Sequence, residues 1–372
     1  MLHISSAFDS GNIIVHQADT PANIRLSIAK DRDSGFFQWF HFRLTGAKDE
    51  ACHFTLENAG EAAFKGGWKD YKVCVSYDRE TWFRLATNYV NGQLSWQHTP
   101  EFESVYYAYF APYSLERHAG LIAECLHHDA VSLRVLGQTI NGRDMDCLSI
   151  GSGETVMWVI GRQHPGETQA SWWMEGFLSR LMDNNDPVAR RLREKGRFHI
   201  VPNMNPDGSF EGHLRTNYAG SNLNREWNKA SLQSSPEVYH VLAAMKIDPP
   251  HMCLDVHGDE SLPYNFIAGA EGIPDYTEKQ ARNLAEFLTA YKVASPDFQT
   301  EVGYPKTPKG KANMSYCTNY TAHAFDCLAM TLEMPFKDNA NMPDPEFGWS
   351  PERCANLGAA SLDAMLAVID RL

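Results

Sequence analysis

The stretch TVMWVIG-RQHPGE-TQASWWMEGFLSRLM, residues 155–182, decides the fold class of this 372-residue chain. Thr155–Gly161 is an almost unbroken apolar run, which is typical of a strand buried on both faces. A polar turn, 162–167, follows it, and residues 170–182 have the pattern of a helix. A buried strand that passes through a short turn into a helix is the repeating unit of α/β domains with a parallel sheet.

The same alternation continues through the rest of the chain. Apolar runs that predict further strands lie at 198–202, 252–257 and 328–332. Helical stretches lie at 237–245, 277–291 and 351–372, and Ser114 is a candidate N-cap for a helix that ends near Asp129. We therefore predict an α/β domain with a mixed, mostly parallel sheet and flanking helices.

The first 112 residues have a different pattern. In GFFQWFHFRLTG, residues 35–46, apolar side chains recur at every second position, and short runs of the same kind lie at 72–77, 82–86 and 105–110. Turn signals that contain glycine separate these runs, and Pro112 ends the region. Short aromatic-rich strands spaced by turns predict an antiparallel β-sandwich. The predicted organisation is a sandwich domain at 1–112 and an α/β domain at 113–372.

Composition excludes several classes of function. Lys and Arg number 33 and Asp and Glu number 46, so the formal net charge is −13. Such a chain lacks the basic surface that nucleic acids and anionic membranes require, and it has no apolar run long enough to span a bilayer. The N-terminus has no signal-peptide pattern, and the eight cysteines form no CxxC pair. We expect a cytoplasmic protein with free thiols; self-association is left open.

Chemistry-bearing residues follow the predicted strands. In open α/β sheets, ligands bind outside the carboxyl ends of the strands. His164 and Glu167 come after the first strand, and His257 ends a distant one. Two His and one Glu with an open fourth position form a catalytic zinc arrangement. His164 and Glu167 alone would indicate a surface pair, and it is the second His at another strand end that makes zinc an equal alternative.

Four more residues are candidates for the reaction. Glu333 follows an apolar run and could act as a general base beside zinc, although a core ion pair or a helix cap is the alternative. Arg225 could bind a carboxylate with two parallel hydrogen bonds, Asn224 could add a donor, and Arg215 could stabilise an oxyanion. Ion pairs that stabilise the loop explain these three residues equally well.

Several motifs, in this order along the chain, resemble those of the zinc metallocarboxypeptidases. They are HPGE at 164–167, NPDG at 205–208, LNREW at 223–227, DVHGD at 255–259 and TLE at 331–333. In the N-terminal part, FDSGN at 8–12, WFHFRLTG at 39–46 and YYAYFAPYSLER at 106–117 are similar to the β-sandwich of the cytosolic carboxypeptidase subfamily.

This resemblance implies a role for each candidate residue. His164, Glu167 and His257 would bind one zinc ion per chain, and Glu333 would be the general base and then the acid. Arg215 would stabilise the tetrahedral oxyanion. Asn224 and Arg225 would hold the terminal carboxylate of a peptide or protein tail, which is the implied substrate.

Two features of the family pattern are not resolved by the sequence. Digestive relatives use a tyrosine to cap the substrate, and Tyr304, Tyr316 and Tyr320 are all candidates, with Tyr304 preferred. Relatives that cleave polyglutamate have an arginine in the specificity pocket, whereas residues 306–314 contain three lysines and no arginine. A preference for acidic C-terminal residues therefore depends on a lysine, and the alternative is that these lysines belong to a solvated loop.

Two alternative functions remain. One is a zinc amidohydrolase that acts on N-acyl amino acids with the same ligand set. The other is a catalytically silent binder of acidic C-terminal tails. The sandwich before the catalytic domain favours a peptidase over the first, and Glu333 argues against the second, because binding alone needs no base.

Overall fold

The structure, a computed structural model, describes residues 2–372. The N-terminal part is built from short strands. They are β1 (His3–Ser5), β2 (Ile14–Thr20), β3 (Asn23–Ser27), β4 (His41–Thr45), β5 (Cys52–Leu56), β6 (Lys72–Ser76), β7 (Phe83–Ala86), β8 (Asn88–Val90), β9 (Gln93–His98) and β10 (Ser104–Ala108).

These strands form two sheets, in the orders β1-β4-β10-β6-β7 and β2-β3-β5-β9-β8. Aromatic rings fill the space between the sheets. The ring centroid of Phe54 in β5 lies 4.8 Å from that of Tyr107 in β10 and 4.9 Å from that of Trp96 in β9. The predicted sandwich is confirmed, with one difference. Strands β3 and β5 pair in parallel, because β4, which lies between them in the chain, belongs to the opposite sheet.

The remainder of the chain alternates strands and helices. The strands are β11 (Val131–Gln138), β12 (Asp144–Ile150), β13 (Thr155–Gly161), β14 (Gly196–Val201), β15 (Met252–Asp259), β16 (Phe266–Ala268) and β17 (Leu328–Pro335). The helices are α1 (Leu115–Cys125), α2 (Gln169–Met182), α3 (Pro187–Lys195), α4 (Pro206–Glu211), α5 (Pro236–Ile247), α6 (Glu278–Ala294), α7 (Cys317–Phe325) and α8 (Pro351–Val368).

One mixed sheet, in the order β11-β12-β14-β13-β15-β17-β16, organises this part. Its centre, β14-β13-β15-β17, is parallel, whereas β11, β12 and β16 pair antiparallel at its edges. On β13, Met157 and Val159 face the core on one side of the sheet, and Trp158 and Ile160 face the core on the other. Burial on both faces explains the continuous apolar run in the sequence.

The predicted fold class is confirmed. The elements of this part that the sequence did not predict are strands β11, β12 and β16 and helices α3, α4 and α7. Strand β11 was missed because most of its side chains are exposed, so it carries no continuous apolar run. Helices α4 and α7 are short and lie beside the site. The domain boundary between residues 112 and 113 stays a prediction; it falls between β10 and α1.

Two further observations concern the whole chain. All eight cysteines are buried as free thiols, as expected. Over residues 2–372, none of the helices combines the length and the hydropathy that a bilayer crossing requires.

Candidate metal centre and active site

The candidate site lies where the central parallel strands end. His164 and Glu167 follow β13, His257 lies near the end of β15, and Glu333 lies near the end of β17. His257 and Glu333 are direct neighbours in the register of β15 and β17. The sheet therefore brings together side chains that are far apart in the sequence, at the edge where ligands bind in open α/β sheets.

The turn after β13 is held in an unusual backbone conformation. Arg162 has a φ of 61°, a region that residues other than glycine rarely adopt. Its buried guanidinium donates hydrogen bonds to the carbonyl oxygens of Pro165 at 2.9 Å and Tyr113 at 3.0 Å. Gly166 packs so closely that a side chain there would meet the carbonyl oxygen of Leu214 at 2.9 Å. These contacts aim the side chains of the turn at the end of the sheet.

His164, Glu167 and His257 converge on one point. Nδ1 of His164 lies 2.7 Å from Oε1 of Glu167, and Nδ1 of His257 lies 2.8 Å from Oε2. The two Nδ1 atoms are 3.2 Å apart, and all three residues are buried. Each offers one ligand atom, and these atoms lie within 4.8 Å of one another. Two imidazole nitrogens and a carboxylate oxygen suit zinc, so the residues present fit this ion.

A chain of hydrogen bonds orients His257 from behind. Its Nε2 lies 2.8 Å from Oδ2 of Asp255, to which Gln163 donates from Nε2 at 2.6 Å. Trp227 in turn donates from Nε1 to Oε1 of Gln163 at 2.9 Å. A carboxylate on the outer nitrogen of a histidine fixes the ring and leaves the other nitrogen for a metal. On the other histidine, Nε2 of His164 lies 3.0 Å from Oδ1 of Asn222.

Burial and neighbouring charges set the ionisation of this cluster. Burial and the positive charge of Arg215 lower the pKa of His164 to about 3, so this ring is neutral and has a free lone pair. Burial also opposes the charged form of His257, but Asp255 and Glu167 outweigh burial and hold the pKa of His257 well above its ordinary value. The two histidines in turn hold the pKa of Glu167 below its ordinary value, against the effect of its burial.

Glu333 is a buried carboxyl group beside this cluster. Burial raises the pKa of Glu333 well above its ordinary value, against the opposing charge of His257. Tyr304 donates from its hydroxyl to Oδ2 of Asp259 at 2.5 Å and approaches Oε1 of Glu333 at 3.2 Å. Oε2 of Glu333 has no hydrogen-bond partner within the described residues. One oxygen of this buried carboxyl group is therefore unpaired among these residues.

Arg215 approaches the cluster from the loop between α4 and the 3₁₀ turn Leu223–Arg225. Its Nη1 lies 3.9 Å from Oε1 of Glu167. Its guanidinium also lies over the rings of Phe64, at 5.1 Å, and Phe36, at 5.7 Å, both from the N-terminal sandwich. The positive charge thus lies between the candidate metal ligands and the aromatic rings of Phe36 and Phe64.

Arg225 and Asn224 lie on the wall formed by the start of α7. The guanidinium of Arg225 stacks over Tyr316 at 3.9 Å, and Oδ1 of Asn224 accepts a hydrogen bond from the backbone N–H of Cys317 at 2.8 Å. Burial lowers the pKa of Arg225. Nη1 of Arg225 donates to the carbonyl oxygen of Asn224 at 2.6 Å. This bond and the stacking hold the plane of the guanidinium, and its other N–H groups can donate to a ligand.

These residues line one cavity of about 780 Å³. The predicted site residues that line it are His164, Glu167, Arg215, Asn224, Arg225, His257 and Glu333. The lining described for it also includes Tyr304 and Tyr316, whereas Tyr320 packs against the core behind it. Lys306 lines the rim, where its side chain is 84% exposed and lies 3.5 Å from Glu271.

Sequence reasoning missed the residues behind the site. Asp255 carried a signal, because residues two apart on a strand share a face and Asp255 precedes His257 by two. Trp227 lay inside the recognised LNREW motif and Gln163 directly before HPGE, but neither received a role. Asp31, which binds the loop of Arg215 from the N-terminal sandwich, carried no sequence signal.

Comparisons with known proteins agree with this geometry. Residues 4–110 match the cytosolic carboxypeptidase N-terminal domain, and residues 123–352 match the zinc carboxypeptidase family. The chain belongs to the zinc carboxypeptidase family. The predictions of a metallocarboxypeptidase and of one zinc ion are thereby confirmed, and the residues that could hold the ion are His164, Glu167 and His257.

Solved structures extend the likeness over the whole chain. The metallo-carboxypeptidase from Burkholderia cenocepacia is 48% identical with a TM-score of 0.98, and the match covers 100% of both chains. The metallo-carboxypeptidase from Pseudomonas aeruginosa, solved in complex with (2-guanidinoethylmercapto)succinic acid, is 43% identical over 99% of both chains with a TM-score of 0.97. Human cytosolic carboxypeptidase 1 is 29% identical over 72% of this zinc carboxypeptidase, but the match spans only 26% of the human protein.

Proposed function

We propose that this protein hydrolyses the C-terminal peptide bond of peptides or protein tails. The observation that carries the proposal is the placement of Arg225 in the same cavity as the metal-binding cluster and the buried Glu333. An arginine that binds a terminal carboxylate beside a hydrolytic centre restricts cleavage to the last residue. The related metallo-carboxypeptidases of nearly equal length support the assignment.

The proposed roles follow from the surroundings of each side chain. Zinc, held by His164, Glu167 and His257, would supply Lewis acidity for the carbonyl and for the attacking water. The free oxygen of Glu333 accepts the proton of the water and then passes it to the leaving amine. Arg215 donates hydrogen bonds to the oxygen on which negative charge develops.

Substrate binding is assigned to the opposite wall. The edge of the Arg225 guanidinium and the side-chain amide of Asn224 donate hydrogen bonds to the terminal carboxylate. Tyr304 is our choice for the capping tyrosine, because it lines the cavity with its hydroxyl 3.2 Å from Glu333, whereas Tyr316 is already stacked under Arg225.

A preference for acidic C-terminal residues is the finer part of the proposal, and it depends on Lys306. This lysine lines the rim but is largely exposed and faces Glu271, so it would attract an acidic side chain only weakly. The ligand of the Pseudomonas relative carries a guanidino group and two carboxylates. We therefore include basic and acidic residues together in the test of specificity.

The two alternatives make different predictions. An amidohydrolase would release amino acids from N-acyl derivatives faster than from peptides. A silent binder would hold tails without release, and the buried Glu333 with a free oxygen argues against it.

Three other features stay predictions: the domain boundary at 112/113, the cytoplasmic location and the absence of nucleic-acid or membrane partners. The relatives that are named cytosolic carboxypeptidases support the cytoplasmic location.

The test combines zinc content with release of amino acids from peptides that end in Glu, Lys, Arg or Phe, plus one N-acyl amino acid. Stoichiometric zinc and chelator-sensitive release of single C-terminal residues are expected. If Phe, Lys or Arg is released faster than Glu, the acidic preference is rejected, but the carboxypeptidase activity is not. Zinc with release only from the N-acyl amino acid would replace the peptidase by the amidohydrolase, and absence of zinc would overturn the site.

A further inference from the structure

The loop that carries Arg215 is anchored in the N-terminal sandwich part of the chain. The carboxylate of Asp31 accepts hydrogen bonds from the backbone N–H groups of Leu214 at 2.7 Å, Arg215 at 2.8 Å and Thr216 at 2.9 Å. It also accepts one from the hydroxyl of Thr216 at 3.1 Å. Asp31 is only 3% exposed, so these donors, rather than water, stabilise its charge.

Neighbouring contacts hold the start of the same loop. Asn12 donates from Nδ2 to the carbonyl oxygen of Gly212 at 2.9 Å, and the backbone N–H of Arg32 donates to Nε2 of His213 at 3.1 Å. Gly212 has a φ of 69°, and a side chain there would meet the carbonyl oxygens of Ser10 and Gly11 at 2.8 Å. The loop therefore fits tightly against the N-terminal sandwich.

The far end of Arg215 contacts the sandwich as well. Its guanidinium lies between Glu167 on one side and the rings of Phe36 and Phe64 on the other. Residues 212–222 contain no regular helix or strand, so no ladder of backbone hydrogen bonds within the loop fixes the position of Arg215. The carboxylate of Asp31 holds the backbone N–H groups of residues 214–216, and the carbonyl oxygen of Leu214 accepts a hydrogen bond from the N–H of Gly166 at 2.9 Å.

We propose that Asp31 is a positioning residue for the reaction, which fixes the guanidinium of Arg215 at the metal centre by binding three consecutive backbone N–H groups of its loop. The N-terminal sandwich is then a structural part of the active site. This inference rests on the proposed role of Arg215 as the donor to the developing oxyanion. Such a donor works only in a fixed geometry, and a displacement of about 1 Å can cost about a hundredfold in rate.

The test measures kcat and KM of the full chain with Asp31→Asn and Asp31→Ala, each alone and combined with Arg215→Ala. The asparagine variant keeps the volume and one acceptor, so it remains informative if the alanine variant folds poorly. Arg84→Met is the matched control. Arg84 also joins the two parts of the chain, donating to the carbonyl oxygens of Lys72 at 2.9 Å and Trp349 at 3.0 Å, but it does not contact the loop of Arg215.

We expect the Asp31 variants to keep stoichiometric zinc and a KM within about threefold, and to lose about tenfold to a hundredfold in kcat. In the Arg215→Ala background the same substitutions should cost less than about threefold, because residues that act through one another are not additive. Arg84→Met should lower the melting temperature without this loss in kcat.

Three results would overturn the inference. They are an unchanged kcat in both Asp31 variants, additive losses in the double variants, and an equal loss of kcat in Arg84→Met. If Arg215→Ala itself leaves kcat unchanged, the proposed role of Arg215 fails and the inference fails with it. A loss with Arg215→Ala but none with the Asp31 variants overturns the inference alone.

Discussion

Glu333→Gln should abolish most turnover while the protein keeps its fold and its zinc. Glutamine has nearly the same volume, and its side-chain amide can keep the 3.2 Å contact that Oε1 of Glu333 makes with the hydroxyl of Tyr304. Glu333 is not one of the three residues that could hold the metal. What the substitution removes is the ability to accept a proton at the oxygen that has no protein partner.

The size of the loss follows from the role. A positioned general acid or base contributes about 10²–10⁴ in rate. Glu333 is proposed to act first as base and then as acid, so we expect a loss near the upper end, about 10³–10⁴ in kcat. This corresponds to about 4–5 kcal/mol in the activation barrier. KM should change little, because the terminal carboxylate is proposed to bind to Arg225 and Asn224 and not to Glu333.

The assay measures kcat, KM and zinc content of the variant on the peptide that the wild-type protein cleaves fastest. Glu237→Gln is the matched control, since Glu237 is a buried glutamate outside the cavity whose oxygen accepts a hydrogen bond from Asn217. The control should keep its turnover. Turnover of Glu333→Gln within about tenfold of wild type would remove Glu333 from the mechanism, and loss of zinc would make it a structural or ligand residue.

Three further predictions concern the metal, the substrate and the pH dependence of stability. His257→Ala should lose zinc, measured by metal analysis, whereas His199→Ala, in the same sheet, should keep it; stoichiometric zinc in the first would contradict the ligand set. Arg225→Ala should raise KM far more than it lowers kcat, because the contact to the carboxylate exists in ground and transition states alike, and the reverse pattern would contradict this role. Burial raises the pKa of Glu237 from 4.5 to about 7, so the folded state retains a proton that the unfolded state loses, and stability falls between these pH values by about 3 kcal/mol. Glu237→Gln should therefore raise the melting temperature at pH 8 but not at pH 4, and equal shifts at both would refute the cause.

The candidate metal ligands could be found from the sequence because each lies next to a local pattern. Continuous apolar runs identified the buried strands, and the order of strand, turn and helix placed their carboxyl ends at one edge. His164, Glu167, His257 and Glu333 then followed as the polar residues at those ends. Strand β11 was not predicted, because most of its side chains are exposed and it has no continuous apolar run.

The sequence by itself determined the buried strands and the longer helices of the α/β part, the class of fold and which polar residues stand at the strand ends, because periodicity and strand ends are properties of neighbouring residues. Only the tertiary structure decided that Asp31 holds a loop 183 residues away and that Tyr304, rather than Tyr320, lines the cavity. It also decided that β3 and β5 pair in parallel. Contacts of this kind depend on how separate elements pack. No spacing within the chain encodes which pairs of distant polar residues will form a hydrogen bond.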